Sequence, residues 1–155
     1  MVILEDTRQQ DGKHRNIDAY FNRQGIQTER CRLYVGDYAI ANDQSRVVDT
    51  KQDVLEIAKD IMSADHERFR AECERAKNAG IKLLVLIEEA LPDGGLANWE
   101  SPKDVRGRSL TAVKGESLKR AMLTMTVKYG VRFRFCEAKD TGRLIVEYLA
   151  EGVLP

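Results

Sequence analysis

In the run Val47-Val48-Asp49-Thr50-Lys51 an acid and a lysine stand two residues apart. In an extended strand side chains alternate between faces, so Val47, Asp49 and Lys51 share one face and Val48 and Thr50 take the other. A carboxylate and an ammonium group then point into one space. Metal-assisted phosphodiester hydrolysis needs that pairing: an acid to hold Mg2+ or Mn2+, and a fixed positive charge to orient the attacking water or stabilise the phosphorane. A second acid is available at Asp37. Gly36-Asp37 interrupts the preceding apolar segment, and glycine there lets the backbone bend and bring Asp37 beside Asp49 across a hairpin. Adjacent carboxylates repel each other unless a cation lies between them. Mg2+ is commonly held by one or two carboxylates, with water and substrate oxygens completing its shell. Taken singly, an Asp-x-Lys is more often a surface ion pair and a Gly-Asp more often a turn; the order of the two carries the argument.

The elements that must position these residues follow from periodicity. Residues 2–5 form an apolar run that predicts a strand, ending in a polar loop over residues 6–13. Ile17, Tyr20 and Phe21 predict a helix over residues 14–24, stopped by Gly25. Residues 27–35 and 38–40 read as strand on either side of Gly36-Asp37, and residues 45–51 as a further strand after the turn-forming Asn42-Asp43. Helices follow over residues 53–62 and 65–79, with Val54, Ile57, Ala58 and Ile61, then Phe69, Cys73 and Ala76, facing inward. The nearly continuous apolar stretch 81–87 suits a central strand covered on both faces. Residues 90–113, with Pro92, Gly94, Gly95, Pro102 and Gly107, predict a long surface loop, a kind of segment that is usually functional or mobile. A helix over 116–129, a strand over 131–135 and a helix over 141–150 close the chain. The order predicts an α/β fold, a mixed β-sheet flanked by helices, in a single domain spanning 1–155.

Composition narrows the chemistry. Cys31, Cys73 and Cys136 are odd in number and scattered, without a CxxC pair, which fits reduced thiols in a cytoplasmic compartment. His14 and His66 are the only histidines, so a metal must be held mainly by carboxylates. No apolar run is long enough to span a bilayer and no export signal opens the chain, so no membrane partner is expected. Net charge is zero, which argues against binding nucleic acid by bulk charge. Residues 101–134 nevertheless carry an excess of about seven positive charges, including Arg106, Arg108 and Lys114, enough to follow a phosphate backbone or simply to form a solvated basic face.

The stretches VILEDTRQ at residues 2–9, LYVGDYAI at 33–40, VVDTKQD at 47–53 and ERFRAECERAKNAGIKLLVLIEE at 67–89 occur in the order found in XPF-type nuclease domains of the PD-(D/E)XK superfamily, and the chain resembles that family. The closing segment YGVRFRFCEAKDTGRLIVEYL at 129–149 resembles the same domain's last strand and helix. The likeness is strongest to compact members encoded by bacteriophages and prophages. It implies a restriction-endonuclease-like mixed sheet and a Mg2+- or Mn2+-dependent endonuclease that hydrolyses phosphodiester bonds in DNA. Carried over by position, Asp37 and Asp49 are the principal metal ligands, Lys51 the catalytic lysine, Asp6 a further acid at the site, and Arg8 a basic residue near the phosphate. Three positions depart from the family's pattern: Thr50 replaces an arginine, Gln9 a glutamate, and Leu55 an aspartate, leaving Asp53 or Glu56 as substitutes. The resemblance further implies branched, flapped or single-strand-containing DNA as the partner. The helix-hairpin-helix module of larger members is not expected in this chain, so a homodimer or an accessory DNA-binding protein would supply the missing grip.

Other residues have plainer readings. Glu88 and Glu89 end the buried strand and are taken as structural or solvated, with Glu88 a further candidate at the site. Trp99 is taken as a loop anchor rather than a base-stacking residue. DVRGRSL at residues 104–110 could contact phosphate, on charge and glycine alone. Two rival functions remain: a catalytically silent DNA-binding or assembly module of the same fold, and a binder of a phosphorylated small ligand. Neither a Walker loop nor GxGxxG occurs to support the last.

Overall fold

A computed structural model describes residues 1–153 apart from Asp11 and Lys13, so those two positions of the expected 6–13 loop lie outside the described residues. Strand β1 (Val2–Asp6) is followed by α1 (Arg15–Arg23), β2 (Gln27–Cys31), β3 (Tyr38–Ile40), β4 (Asp43–Lys51), α2 (Val54–Met62), α3 (His66–Asn78), β5 (Lys82–Ile87), α4 (Gly115–Tyr129), β6 (Arg132–Phe135) and α5 (Thr141–Glu151). The six strands form one sheet in the order β2-β1-β3-β4-β5-β6. β3 runs antiparallel to both β1 and β4, whereas β4, β5 and β6 are parallel to one another. The expected mixed sheet flanked by helices is the architecture of the protein.

Alternation along the strands divides the core in two. Val47, Leu83, Val85 and Ile87 pack against Val54 and Ile57 of α2, Phe69 and Cys73 of α3, and Leu118 and Met122 of α4. Their strand neighbours Val48, Leu84 and Leu86 pack on the other side against Ile17 and Phe21 of α1 and Leu144, Ile145 and Leu149 of α5. β5 is covered on both faces, which is why its sequence is continuously apolar. Each such buried side chain contributes roughly 1.5–3 kcal/mol relative to exposure.

Residues 27–35 do not form one strand. β1 ends where Asp6 pairs with Cys31, so beyond Cys31 the edge strand has no ladder to extend. The chain instead turns inward and buries Leu33 and Val35, leaving Tyr34 exposed between them. Helix α2 starts where the Asp53 carboxylate accepts the Glu56 N–H at 2.8 Å, while the Glu56 carboxylate accepts the Gln52 N–H at 2.6 Å. Reciprocal caps of this kind satisfy amides that a helix start leaves unpaired.

The turn into β3 depends on one glycine. Gly36 has φ of +67°, and a Cβ placed there would collide with the Val47 side chain and lie 3.0 Å from the Val48 carbonyl oxygen. Beyond the turn the Asp37 N–H donates to the Val48 carbonyl at 2.8 Å, and the Asp37 carbonyl accepts from the Asp6 N–H at 2.8 Å. Backbone strain and overpacking thus coincide at one position. Gly36→Ala is expected to destabilise the domain by about 2 kcal/mol or more, read from the urea midpoint at unchanged m-value. An unaltered midpoint would contradict this account of the turn.

Candidate active site

β3 and β4 are paired so that Tyr38 faces Val48, which places the next residues outward, Asp37 and Asp49, opposite each other. Their carboxyl groups come within hydrogen-bonding reach. The Asp37 Oδ2 also accepts the Thr50 N–H and the Thr50 hydroxyl, each at 2.7 Å. Asp49 is only 5% exposed. Lys51 lies on the same strand face, as strand alternation requires, with its Nζ 2.9 Å from the Asp49 Oδ2. A second tether comes from α2, whose Asp60 carboxylate is 3.0 Å from the same ammonium. The Phe69 ring of α3 lies 5.5 Å from Nζ, a further contact that favours the charged amine.

The electrostatics follow from this burial. Desolvation pushes the Asp49 carboxyl well above the ordinary carboxylate range; neighbouring Lys51 pulls it back, and the charge and hydrogen bond of Asp37 push it up further. Asp37 is likewise raised by desolvation, against the opposing hydrogen bonds from Thr50. Burial alone would lower the Lys51 pKa, but Asp49 and Asp60 outweigh it and keep the amine protonated. Burial is the larger cause for both acids, and for Asp49 the neighbouring charge of Asp37 adds to it.

Those two acids suit a divalent cation. Both face one cleft, of about 340 Å³, and a cation between them would relieve their repulsion. Among the described residues no three His, Cys, Asp or Glu side chains form a ready-made metal cage. A Mg2+-type site needs only one or two carboxylates, with water and phosphate oxygens completing the shell. Asp6 lines the same cleft, but its Oδ1 accepts the Leu33 N–H at 2.8 Å and its Oδ2 accepts Arg8 Nε at 2.6 Å and Arg8 N–H at 3.2 Å. A carboxylate has about four acceptor positions, so one remains. Asp6 chiefly fixes Arg8, whose Nη2 also donates to the Leu33 carbonyl at 3.0 Å.

Several contributors lie outside the short motifs. Glu72 of α3 lines the cleft and accepts the Gly36 N–H at 2.8 Å; burial and the Asp49 charge raise its pKa. Its only sequence signal is its place between Phe69 and Cys73, on the flank of that helix's inward face. His14 and Gln9 also line the cleft, and the sequence offered no reason to place His14 there. Of the acids left open, Asp53 and Glu56 are engaged in capping α2, though Glu56 also borders the cleft. Glu88 is not among the cleft-lining residues. Glu89 is structural: it accepts the Val54 N–H at 3.2 Å and the Trp99 indole N–H at 2.9 Å. Trp99, 6% exposed, anchors the long loop as expected. Arg106 and Arg108 lie on that loop, and Lys114 lines a separate cavity beneath it.

The ERCC4 domain profile matches residues 6–148 of the sequence. The chain belongs to the ERCC4 domain family. Its fold is that of the XPF nuclease, as two solved structures show. "XPF from Aeropyrum pernix" superposes with a TM-score of 0.66 at 20% identity, covering 96% of this chain and 63% of that one. "XPF from Aeropyrum pernix, complex with DNA" gives a TM-score of 0.66 at 22% identity, covering 96% of this chain and 62% of that one. This ERCC4 domain therefore spans under two thirds of the length of either archaeal chain. No curated protein sequence matches it. ERCC4 membership assigns it to a family of nuclease-type, DNA-processing domains that generally depend on divalent metal. No helix among its described residues is long and apolar enough to cross a membrane.

The raised acids make a stability prediction. A carboxyl whose pKa is higher folded than unfolded makes the folded state bind more protons, so stability falls as pH rises from the ordinary carboxylate range towards neutrality. Asp37→Asn removes one charge, keeps an acceptor for Thr50 and gives Asp49 a donor. In metal-free buffer near pH 7.5 the variant is expected to melt above wild type, by about 2–4 °C per kcal/mol relieved. The gap should close as pH falls towards 4. A variant less stable than wild type at neutral pH would show that the pair is not repulsive.

Proposed function

We propose that this domain is a divalent-metal-dependent endonuclease that hydrolyses phosphodiester bonds in DNA. The observation that carries this reading is the buried Asp37 and Asp49 pair, within hydrogen-bonding reach and flanked by the Lys51 ammonium. Asp37 and Asp49 would hold Mg2+ or Mn2+, with Asp6 offering its remaining acceptor position. When bound, the ion would polarise the scissile phosphate and lower the pKa of a coordinated water. Lys51, kept protonated by Asp49 and Asp60, would orient that water and stabilise charge gained by the phosphate. Arg8, fixed by Asp6, would hold a non-bridging phosphate oxygen at the cleft mouth. Arg106, Arg108 and Lys114 would follow the backbone away from the reacting centre.

A DNA partner is supported by family membership and by the archaeal XPF captured in a DNA complex. Branched, flapped or single-strand-containing DNA is the substrate class we infer, acted on by one nuclease domain over residues 1–155. A homodimer would extend its grip, with an accessory DNA-binding protein as the other route. Helix α4 exposes Leu123 and Val127, 64% and 83% accessible, beside a groove lined by Leu91, Leu96, Phe133 and Phe135 and next to the edge strand β6. Exposed apolar surface beside an unpaired strand edge is the surface a second copy would cover. Light scattering is expected to report a wild-type dimer and a monomeric Leu123→Arg/Val127→Glu double variant. A wild-type monomer at high micromolar concentration would remove the homodimer from the proposal.

The second reading is a catalytically silent DNA-binding or assembly module of the same fold, against which stand the intact Asp37, Asp49 and Lys51. Mn2+-dependent cleavage of single-stranded, duplex, flap and four-way DNA separates the two. Wild type is expected to cut, while Asp49→Ala and Lys51→Ala each lose about 10³-fold or more in rate and still fold, a loss on the scale of removing one preorganised transition-state contact. A clean wild-type preparation that binds DNA without cutting it would establish the silent module.

A further inference from the structure

The β5–α4 loop contains an ordered hairpin. Lys103 and Ser109 form an antiparallel bridge, and the Leu110 N–H donates to the Pro102 carbonyl at 2.9 Å. Asp104 staples the tip: its Oδ1 accepts the N–H groups of Arg106 and Arg108, each at 2.9 Å, and its Oδ2 receives Arg108 Nε at 2.9 Å. The Asp104 N–H returns the bond to the Arg108 carbonyl at 2.8 Å, and Gly107 makes the turn with φ of +76°. At the tip Val105 is fully exposed, flanked by Lys103 and Arg106. The Asp104 carboxylate is engaged by Arg108, and no ion pair of Lys103 or Arg106 is formed among the described residues.

Topology sets where this hairpin stands. Because β4, β5 and β6 are parallel, α4 runs back against them, and both the end of β5 and the start of α4 lie at the end of the sheet that carries Lys51. Trp99 ties the base of the loop to Glu89, which also holds the first amide of α2. The loop that carries the hairpin therefore leaves from the same end of the sheet as the acidic cleft.

We propose that the 103–109 hairpin is a DNA wedge: Val105 inserts at a base step where stacking is already interrupted, while Lys103 and Arg106 hold the flanking phosphates. This deepens the nuclease reading and rests on it for the choice of DNA. Apolar wedges between base steps are a known way for proteins to read DNA deformation, and the unstacking cost of a few kcal/mol is smallest where a base is unpaired or at a branch. A β-branched side chain suits the task, because its χ1 is stiff and little rotamer freedom is lost on insertion. The wedge would give the domain a preference for discontinuous DNA that uniform phosphate contacts cannot supply.

The test uses the whole chain in metal-free buffer, with a flap DNA carrying 2-aminopurine at the junction and a continuous duplex of the same sequence. Wild type is expected to bind the flap about tenfold more tightly than the duplex, and to brighten the 2-aminopurine as its stacking is lost, a difference on the scale of one stacking contact. Val105→Ser should lose that tenfold and the brightening, with duplex affinity within about twofold, the change reading only the wedge. Asp104→Ala removes a negative charge, so a purely electrostatic loop would bind both DNAs more tightly; a stapled wedge loses its flap preference instead. Equal flap binding by Val105→Ser and wild type, equal losses on flap and duplex, or no wild-type preference would each overturn the proposal. Cutting is scored separately with Mn2+. Cleavage without flap preference refutes the wedge alone, and flap preference without cleavage refutes the nuclease reading alone.

Discussion

Two carboxylates held side by side out of water are the constraint on which the rest of this site depends. The fold enforces the contact in three ways. The β3–β4 register sets Asp37 opposite Asp49, Gly36 lets the chain enter that register, and both the amide and the hydroxyl of Thr50 grip Asp37. None of these would arise from the acids' own preference, since each would be better solvated apart. A folded chain that maintains such a contact stores local free energy, and a divalent cation is the ligand that would release it.

Around that pair, other charges are tethered in matched sets. Arg8 is held by Asp6, Lys51 by Asp49 and Asp60, and Glu72 by the Gly36 amide. Groups fixed in this way need not reorganise when charge develops on a bound phosphate, which is how preorganised sites gain their advantage over water. The cleft is also joined to the core beneath it. Glu72 and Cys73 are neighbours on α3, one at the cleft and one packed among apolar side chains, so the helix that completes the site also seals the sheet.

Much of this was legible in the sequence because it is local. Period-two alternation over residues 47–51 gave Asp49 and Lys51 one face, and the glycine before Asp37 marked the bend that pairs the two acids. Every α-helix and the buried central strand could be placed by spacing alone. What stayed hidden depends on contacts between distant segments. Asp60 looks like an ordinary solvated helix residue until α2 is docked over Lys51. Glu72 sits beside an inward face without any motif of its own. The strand expected over 27–35 was too long because its limit is set by where its partner β1 ends, which an apolar count cannot report. The long loop, read from its glycines and prolines as irregular, contains a hairpin whose backbone bridge is reinforced at the tip by the carboxylate of Asp104. A one-residue staple of that kind has no period to detect.

The most direct test of the central claim is anomalous diffraction from a crystal soaked in Mn2+. The account predicts strong manganese density at the carboxylates of Asp37 and Asp49, absent from crystals of Asp37→Asn. Manganese bound elsewhere, with none at Asp37 and Asp49, would contradict it.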